Sequence, residues 1–107
     1  MSAAHYADMF AALGAEQRLE ILRLLLAAHA DGLVVGEIQR ELGMAGSTLS
    51  HHLDRLKNEQ LIEATREGVY LRYRARTDSL RELLGFLYAE CCTRNQAIRP
   101  EDVTSCC

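Results

Sequence analysis

Ser47 to Glu63, STLSHHLDRLKNEQLIE, is the stretch on which the reading of the chain turns. Its apolar residues fall at Leu49, Leu53 and Leu56, then at Leu61 and Ile62. Steps of four and three put the first three on one side of a helix. The other side carries Ser47, Thr48, Ser50, His51, Asp54, Arg55 and Lys57. Its first turns hold small hydroxyls and imidazoles, where an ordinary solvated face would hold Glu and Lys. Short groups that both donate and accept hydrogen bonds suit a helix that enters a major groove and reaches base edges. A plain surface helix is the alternative reading of this window taken alone.

The flanks favour the first reading. Val35 to Leu42, VGEIQREL, has the spacing of a short helix with Ile38 and Leu42 inward, and Gly43 breaks it. Gly46 stands just before the window. Helix, Gly-containing turn, helix is a helix-turn-helix pattern. Downstream, Leu61 to Arg66 and Val69 to Arg74 read as two strands joined across Glu67-Gly68, a hairpin signal. The predicted fold class is mainly α with a β-hairpin wing: a winged helix-turn-helix. Its DNA-facing residues are Gly46, Ser47, Thr48, Ser50, His51 and Arg55 on the helix. Arg66, Tyr70 and Arg72 on the wing are placed against backbone phosphates. His52 is assigned a supporting hydrogen bond rather than a metal, and His5 and His29 are placed at exposed helix ends.

Working outward to the N-terminus, Tyr6 to Leu13 and Glu16 to Ala28 read as two helices. Leu19, Leu22, Leu25 and Leu26 are predicted to face the core, with Ile21 and Leu24 widening the stripe. After the wing, Thr77, taken as a cap, opens a last helix to about Cys91. Leu80, Leu83, Leu84, Leu87, Tyr88 and Cys91 form its seam. The central helices already supply a core, so the seams of the first and last helices are free to form a homodimer. Residues 1–92 are thus assigned to a DNA-binding and dimerisation domain. Residues 93–107, which contain Pro100, are assigned to a flexible cysteine-containing tail.

The chain has 107 residues, 49% of them hydrophobic, enough for one small domain. No apolar run approaches the length of a membrane span, and the first ten residues lack the charge and apolar pattern of an export signal. The expected compartment is the cytoplasm. Net charge is −3, yet residues 45–74 hold five basic against four acidic side chains, while residues 1–44 hold three against six. An acidic protein with a locally basic face repels DNA in general and binds through a few placed cations. No Ser-His-Asp order, phosphate loop or isolated carboxylate pair points to an enzyme.

All four cysteines lie in two adjacent pairs, Cys91-Cys92 and Cys106-Cys107. In a reducing compartment such pairs read as metal-binding or reactive. Neighbouring helical positions diverge by about 100°, so one pair serves one ion only where the helix end yields. Thiolate ligation selects soft ions. As(III) and Sb(III) take three sulfurs in a pyramid, which Cys91 and Cys92 plus one of Cys106 and Cys107 would complete. A zinc or cadmium site, a redox or persulfide switch, and an inert scavenging tail remain open. From a different class stands a thiol-based metalloid carrier, which would have no use for a wing.

The sequence resembles the ArsR/SmtB family of winged-helix metalloregulators. ALGAEQRLEILRLLL (Ala12 to Leu26), STLSHHLDRLKNEQLI (Ser47 to Ile62) and REGVYLRY (Arg66 to Tyr73) carry the likeness, in the family's order, over about residues 5 to 90. The chain departs from the pattern at Ala15-Glu16, where the family usually has Asp-Pro, and at Ala45, where it often has a capping Ser. The cap role then passes to Ser47. The resemblance implies a homodimer through the first and last helices and a repressor on operator double-stranded DNA that needs no cofactor to bind. The C-V-C pattern of many arsenic sensors is replaced by Val34, Val35 and Gly36. The zinc pattern of the last helix keeps Asp78 but meets Leu80. Adjacent cysteines at the end of the last helix, as in Cys91-Cys92, resemble those of other arsenic-sensing members. The implied function is repression of arsenic-resistance genes, with As(III) or Sb(III) as inducer.

Overall fold

The first helix, α1 (Ala3–Leu13), starts at Ser2, whose Oγ accepts from the His5 N–H at 3.4 Å. It therefore begins almost a turn before Tyr6. The computed structural model describes residues 2–89. Gly14 closes α1, and α2 follows at Glu16–Ala27. Ile21, Leu22 and Leu25 of α2 are buried, but Leu19 is 45% and Leu26 40% exposed. The apolar girth of α2 exceeds what the domain can cover, so the predicted inward set is corrected at both ends.

Gly32 then brings the chain against a strand 41 residues further on. Its φ is +79°, and a Cβ there would lie 2.1 Å from the Tyr73 carbonyl oxygen. Only glycine both adopts that conformation and leaves that space. The approach lets β1 (Leu33–Val34) pair antiparallel with β3 (Tyr70–Ala75), Leu33 opposite Tyr73. β2 (Ile62–Glu67) pairs with β3 on its other side, giving the order β1-β3-β2. Glu67 faces Tyr70, so the turn is Gly68-Val69 and both strands run one residue later than their spacing suggested.

Between the strands lie α3 (Val35–Leu42) and α4 (Gly46–Asn58). The α3 start is held by Glu37 Oε1, which accepts from the Val34 N–H at 3.0 Å. Gly43, at φ +63°, ends it. Ala45 occupies the cap position of α4 and offers no side-chain bond. Ser47 lies inside the helix, so the cap role assigned to it is corrected. Full burial of Leu49, Leu53 and Leu56 holds the helix instead, each such side chain being worth about 1.5–3 kcal/mol.

At its far end α4 closes with Gln60 N–H on the Lys57 carbonyl and Leu61 N–H on the Leu56 carbonyl. This pattern calls for a left-handed residue, usually Gly, and Gln60 fills it at φ +61°. Leu61 and Ile62 then enter the core beside Met9, Ala12, Ile38 and Tyr73. The last helix, α5 (Thr77–Tyr88), has Arg76 at its cap position and Thr77 as its first helical residue, correcting the cap. Leu83 is buried on α5, whereas Leu84, Phe86 and Leu87 are exposed.

Candidate nucleic-acid interface

Burial divides α4 into two faces. Leu49, His52, Leu53 and Leu56 are buried, and Ser47, Thr48, Ser50, His51, Asp54, Arg55 and Lys57 are exposed. The exposed surface of its first two turns contains no carboxylate. Gly46 is half-buried, and a Cβ on it would meet Gln39 Nε2 of α3 at 3.2 Å. Gln39 Nε2 also donates to the Met44 carbonyl at 3.5 Å. Gly46 thus serves the close packing of the turn between the two helices.

His52 holds α4 from behind. Its Nε2–H donates to Gln17 Oε1 at 2.9 Å, and its Nδ1 accepts from Arg18 Nη1 at 3.3 Å. Arg18 Nε also donates to the Ala12 carbonyl. Burial, then the nearby Arg18 charge, then His51 push the His52 pKa below the usual imidazole value. A supporting hydrogen bond was the role expected of His52 from the sequence, and its burial among Leu49 and Leu53 is where that bond forms. Its partners were not legible, because they lie 34 and 35 residues away and nothing local marks them.

The wing separates residues that sequence order had grouped. Side chains alternate faces along a strand, and cross-strand partners share a face. Ile62, Ala64 and Arg66 lie with Ala75, Tyr73 and Leu71 on the core side. Thr65 and Glu67 lie with Arg72 and Tyr70 on the other. Arg66 and Tyr70 therefore project from opposite faces. Arg66 is exposed, and no ion pair engages it among the described residues. Tyr70 is 63% and Val69, at the tip, 87% exposed.

Arg72 is already occupied. Its Nε pairs with Glu67 Oε1 at 3.1 Å and its Nη1 donates to the Gly32 carbonyl at 3.3 Å. Arg74 has a similar role that its sequence position did not reveal. It donates to Thr65 Oγ1 at 2.8 Å and to the Ala30 and Asp31 carbonyls at 3.3 Å each. These two arginines fasten the root of the wing to the loop after α2. The electrostatic consequence is that Arg55, Lys57 and Arg66 are the exposed cations of α4 and the hairpin, while Arg72 and Arg74 are half-buried.

The model of the bacterial regulatory protein family arsR matches residues 15–64, which span α2 to β2. A helix-turn-helix transcriptional regulator of Methanocaldococcus jannaschii is 36% identical over 78 residues, covering 73% of this chain and 85% of that protein. The chain belongs to the ArsR family. Its relatives include the transcriptional activator HlyU of Vibrio cholerae, 31% identical over 79% of this chain and 76% of that one. Among solved structures, an ArsR-like regulator from Rhodococcus has a TM-score of 0.70 at 31% identity, covering 80% of this chain and 78% of that chain. A Mycobacterium bovis domain described as a homodimeric winged helix-turn-helix DNA-binding domain has a TM-score of 0.67 at 29% identity, covering 90% and 89%. The ArsR-family chain is thus a transcriptional regulator of winged-helix fold, related to DNA-binding regulators.

Cys91, Cys92, Cys106 and Cys107 lie outside the described residues, as does the Cys91 end predicted for the last helix. Among the described residues no three His, Cys, Asp or Glu side chains are grouped to hold a metal ion. Asp78, the surviving member of the zinc pattern, is paired with Arg76 at 3.0 Å, and that contact holds its carboxyl below the usual range. No described helix is long and apolar enough to cross a membrane.

Proposed function

We propose that this regulator is a dimeric repressor that grips operator DNA with α4 and the wing and leaves it when As(III) or Sb(III) binds its cysteines. The observation that carries the DNA half is the opposition on α4 of buried Leu49, Leu53 and Leu56 to exposed Ser47, Thr48, Ser50 and His51. Those four read base edges, Arg55 and Arg66 meet phosphates, and Tyr70 and Arg72 shape the wing. Gly46 lets α3 and α4 close up behind them. Assembly uses the exposed apolar residues of α1 and α5, Phe10, Leu84, Phe86 and Leu87. The homodimeric description of the M. bovis relative supports the same arrangement. Residues 1–92 form the DNA-binding and dimerisation domain, and residues 93–107 the cysteine-containing tail.

The inducer half rests on donor chemistry. Four thiols in two adjacent pairs offer only soft donors, and the described residues contribute no grouped hard donors. Cys91 and Cys92 with one of Cys106 and Cys107 supply the three sulfurs that As(III) or Sb(III) prefers. The reading places the protein in the reducing cytoplasm, where these thiols stay unpaired. A second reading, a redox or persulfide switch on the same thiols, is favoured by one relative of known structure being described as reduced HlyU.

Titration of the DNA-bound protein with arsenite, and separately with peroxide and a persulfide donor, tests both. Arsenite is expected to release the parent but not the Cys91→Ser, Cys92→Ser double variant. Release of that variant at the parent's arsenite concentration rejects the metalloid site. Release of the parent by peroxide or persulfide alone assigns the thiols to redox.

A further inference from the structure

Gln17 and Arg18, in the first turn of α2, meet α4 on the side away from its exposed hydroxyls. One ring of α4 takes both contacts. His52 Nε2–H donates to Gln17 Oε1 at 2.9 Å and Nδ1 accepts from Arg18 Nη1 at 3.3 Å. Arginine has donors only, so the Nδ1 of His52 carries no proton and the neutral tautomer with hydrogen on Nε2 is selected. Arg18 uses a second donor, Nε, on the Ala12 carbonyl at the end of α1. Three helices therefore converge on one buried, uncharged imidazole.

What this convergence controls follows from the contacts α4 otherwise has. Its cap position, Ala45, supplies no side-chain bond. Leu49, Leu53 and Leu56 hold it to the core, but apolar attraction is non-directional and tolerates rotation of a helix about its own axis. Hydrogen bonds weaken steeply with misalignment. Two of them on opposite edges of one ring resist that rotation. His52 adjoins His51 and lies two residues from Ser50, so the angle it fixes is the angle at which those side chains meet a groove.

We propose that Arg18 and Gln17 are positioning residues for sequence recognition, acting through His52 to set the rotation of α4. This rests on the reading of α4 as the base-reading helix. Releasing the latch moves Ser50 and His51 relative to base edges. Arg55 and Lys57 turn with the same helix but stay on its exposed side, and Arg66 on the hairpin does not move, so non-specific attraction to phosphates persists. The latch is also sensitive to acid. A proton on Nδ1 turns that atom into a donor facing another donor. Arg18 on α2 and His51 on α4 are the groups that act electrostatically on His52, and both oppose a positive ring.

The test uses a duplex that the parent selects from a random-sequence pool, and a scrambled duplex of equal length, measured by anisotropy at pH 7.5. Arg18→Met and Gln17→Ala are each expected to lower the selected-to-scrambled affinity ratio about tenfold, with binding to the scrambled duplex unchanged. The nitrogen chemical shifts of His52 should report loss of the single tautomer, and Arg18→Lys should restore part of the ratio. Gln17 is exposed, so Gln17→Ala decides the matter if Arg18→Met does not fold. An unchanged ratio and an unchanged His52 tautomer, alongside a loss in Ser50→Ala, overturns the positioning role and leaves α4 as the reading helix. Unchanged ratios in Ser50→Ala and His51→Ala as well remove both.

Discussion

Tyr6 lies flat against Phe86, ring centroids 4.3 Å apart and planes 18° from parallel. The pair joins the start of the first helix to the last turns of the fifth, and around it the exposed Phe10, Leu84 and Leu87 extend the apolar surface. Neighbours on α5 then have opposite duties. Leu83 is 1% exposed and Leu84 38%.

Substitution should separate those duties. Leu83→Ala opens a cavity in the protomer and should cost about 2–5 kcal/mol in denaturant unfolding. Leu84→Glu should leave the protomer folded but place a carboxylate in the subunit contact, at a cost of several kcal/mol. Sedimentation is expected to give monomers for Leu84→Glu. A dimer of parental stability would show that this surface is not where the subunits meet.

The two faces of the DNA interface should differ in their response to salt. Ser50→Ala and His51→Ala are each expected to cost about 1–3 kcal/mol on the selected duplex and little on random DNA. Arg66→Ala should weaken both duplexes alike and lower the salt slope by about one unit. Arg72→Ala, whose guanidinium is engaged by Glu67 and Gly32, should lower thermal stability and leave that slope nearly unchanged. A full unit of slope lost in Arg72→Ala would move the phosphate contact to the other face of the wing.

Two residues with positive φ make opposite predictions. Gly32→Ala forces a methyl group into the Tyr73 carbonyl and should destabilise by about 3 kcal/mol or more. Gln60→Gly removes the left-handed penalty at φ +61°, about 1–2 kcal/mol, and forfeits only a 3.4 Å exposed contact with Arg76. Its denaturant midpoint should rise. A fall would mean that the Gln60–Arg76 contact outweighs backbone strain.

Stability should decline in mild acid through His52. Its pKa is lower folded than unfolded, so the unfolded chain binds the proton first. The stabilisation is complete above the unfolded value of 6.5 and is lost as pH falls through the folded one. Asp78, also depressed, starts from 3.8 and loses its contribution at more acidic pH. Denaturant midpoints between pH 7.5 and 5 should therefore fall for the parent and stay flatter for His52→Gln. Parallel curves would assign the decline to another group.

What could be read from the chain was what repeats at short range. α3 shows both its limits, because Ile38 and Leu42 set a stripe and Gly43 ends it. The two faces of α4 follow equally from steps of three and four. The strand β1 was not legible: Leu33-Val34 is too short to alternate, and its partner is Tyr73, far along the chain. Leu19 and Leu26 were read as inward because periodicity counts apolar residues and not the surface available to cover them. Arg72 and Tyr70 kept company with Arg66 in sequence, but only the strand register tells which face each takes. Gln17 and Arg18 look like ordinary polar residues of a first turn until His52 is folded onto them.

Arg72 and Arg74 also bear on how the domain comes together. The carbonyls of Ala30, Asp31 and Gly32 receive their donors from β3, some forty residues later. The loop after α2 therefore exchanges water for these protein donors only when the hairpin has formed and docked. The β1 segment and the loop before it are thereby tied to the hairpin rather than to the helices they connect. Loss of the hairpin should propagate backwards into that loop and β1, so that amide protection of Gly32 and of β3 rises and falls together as one cooperative block.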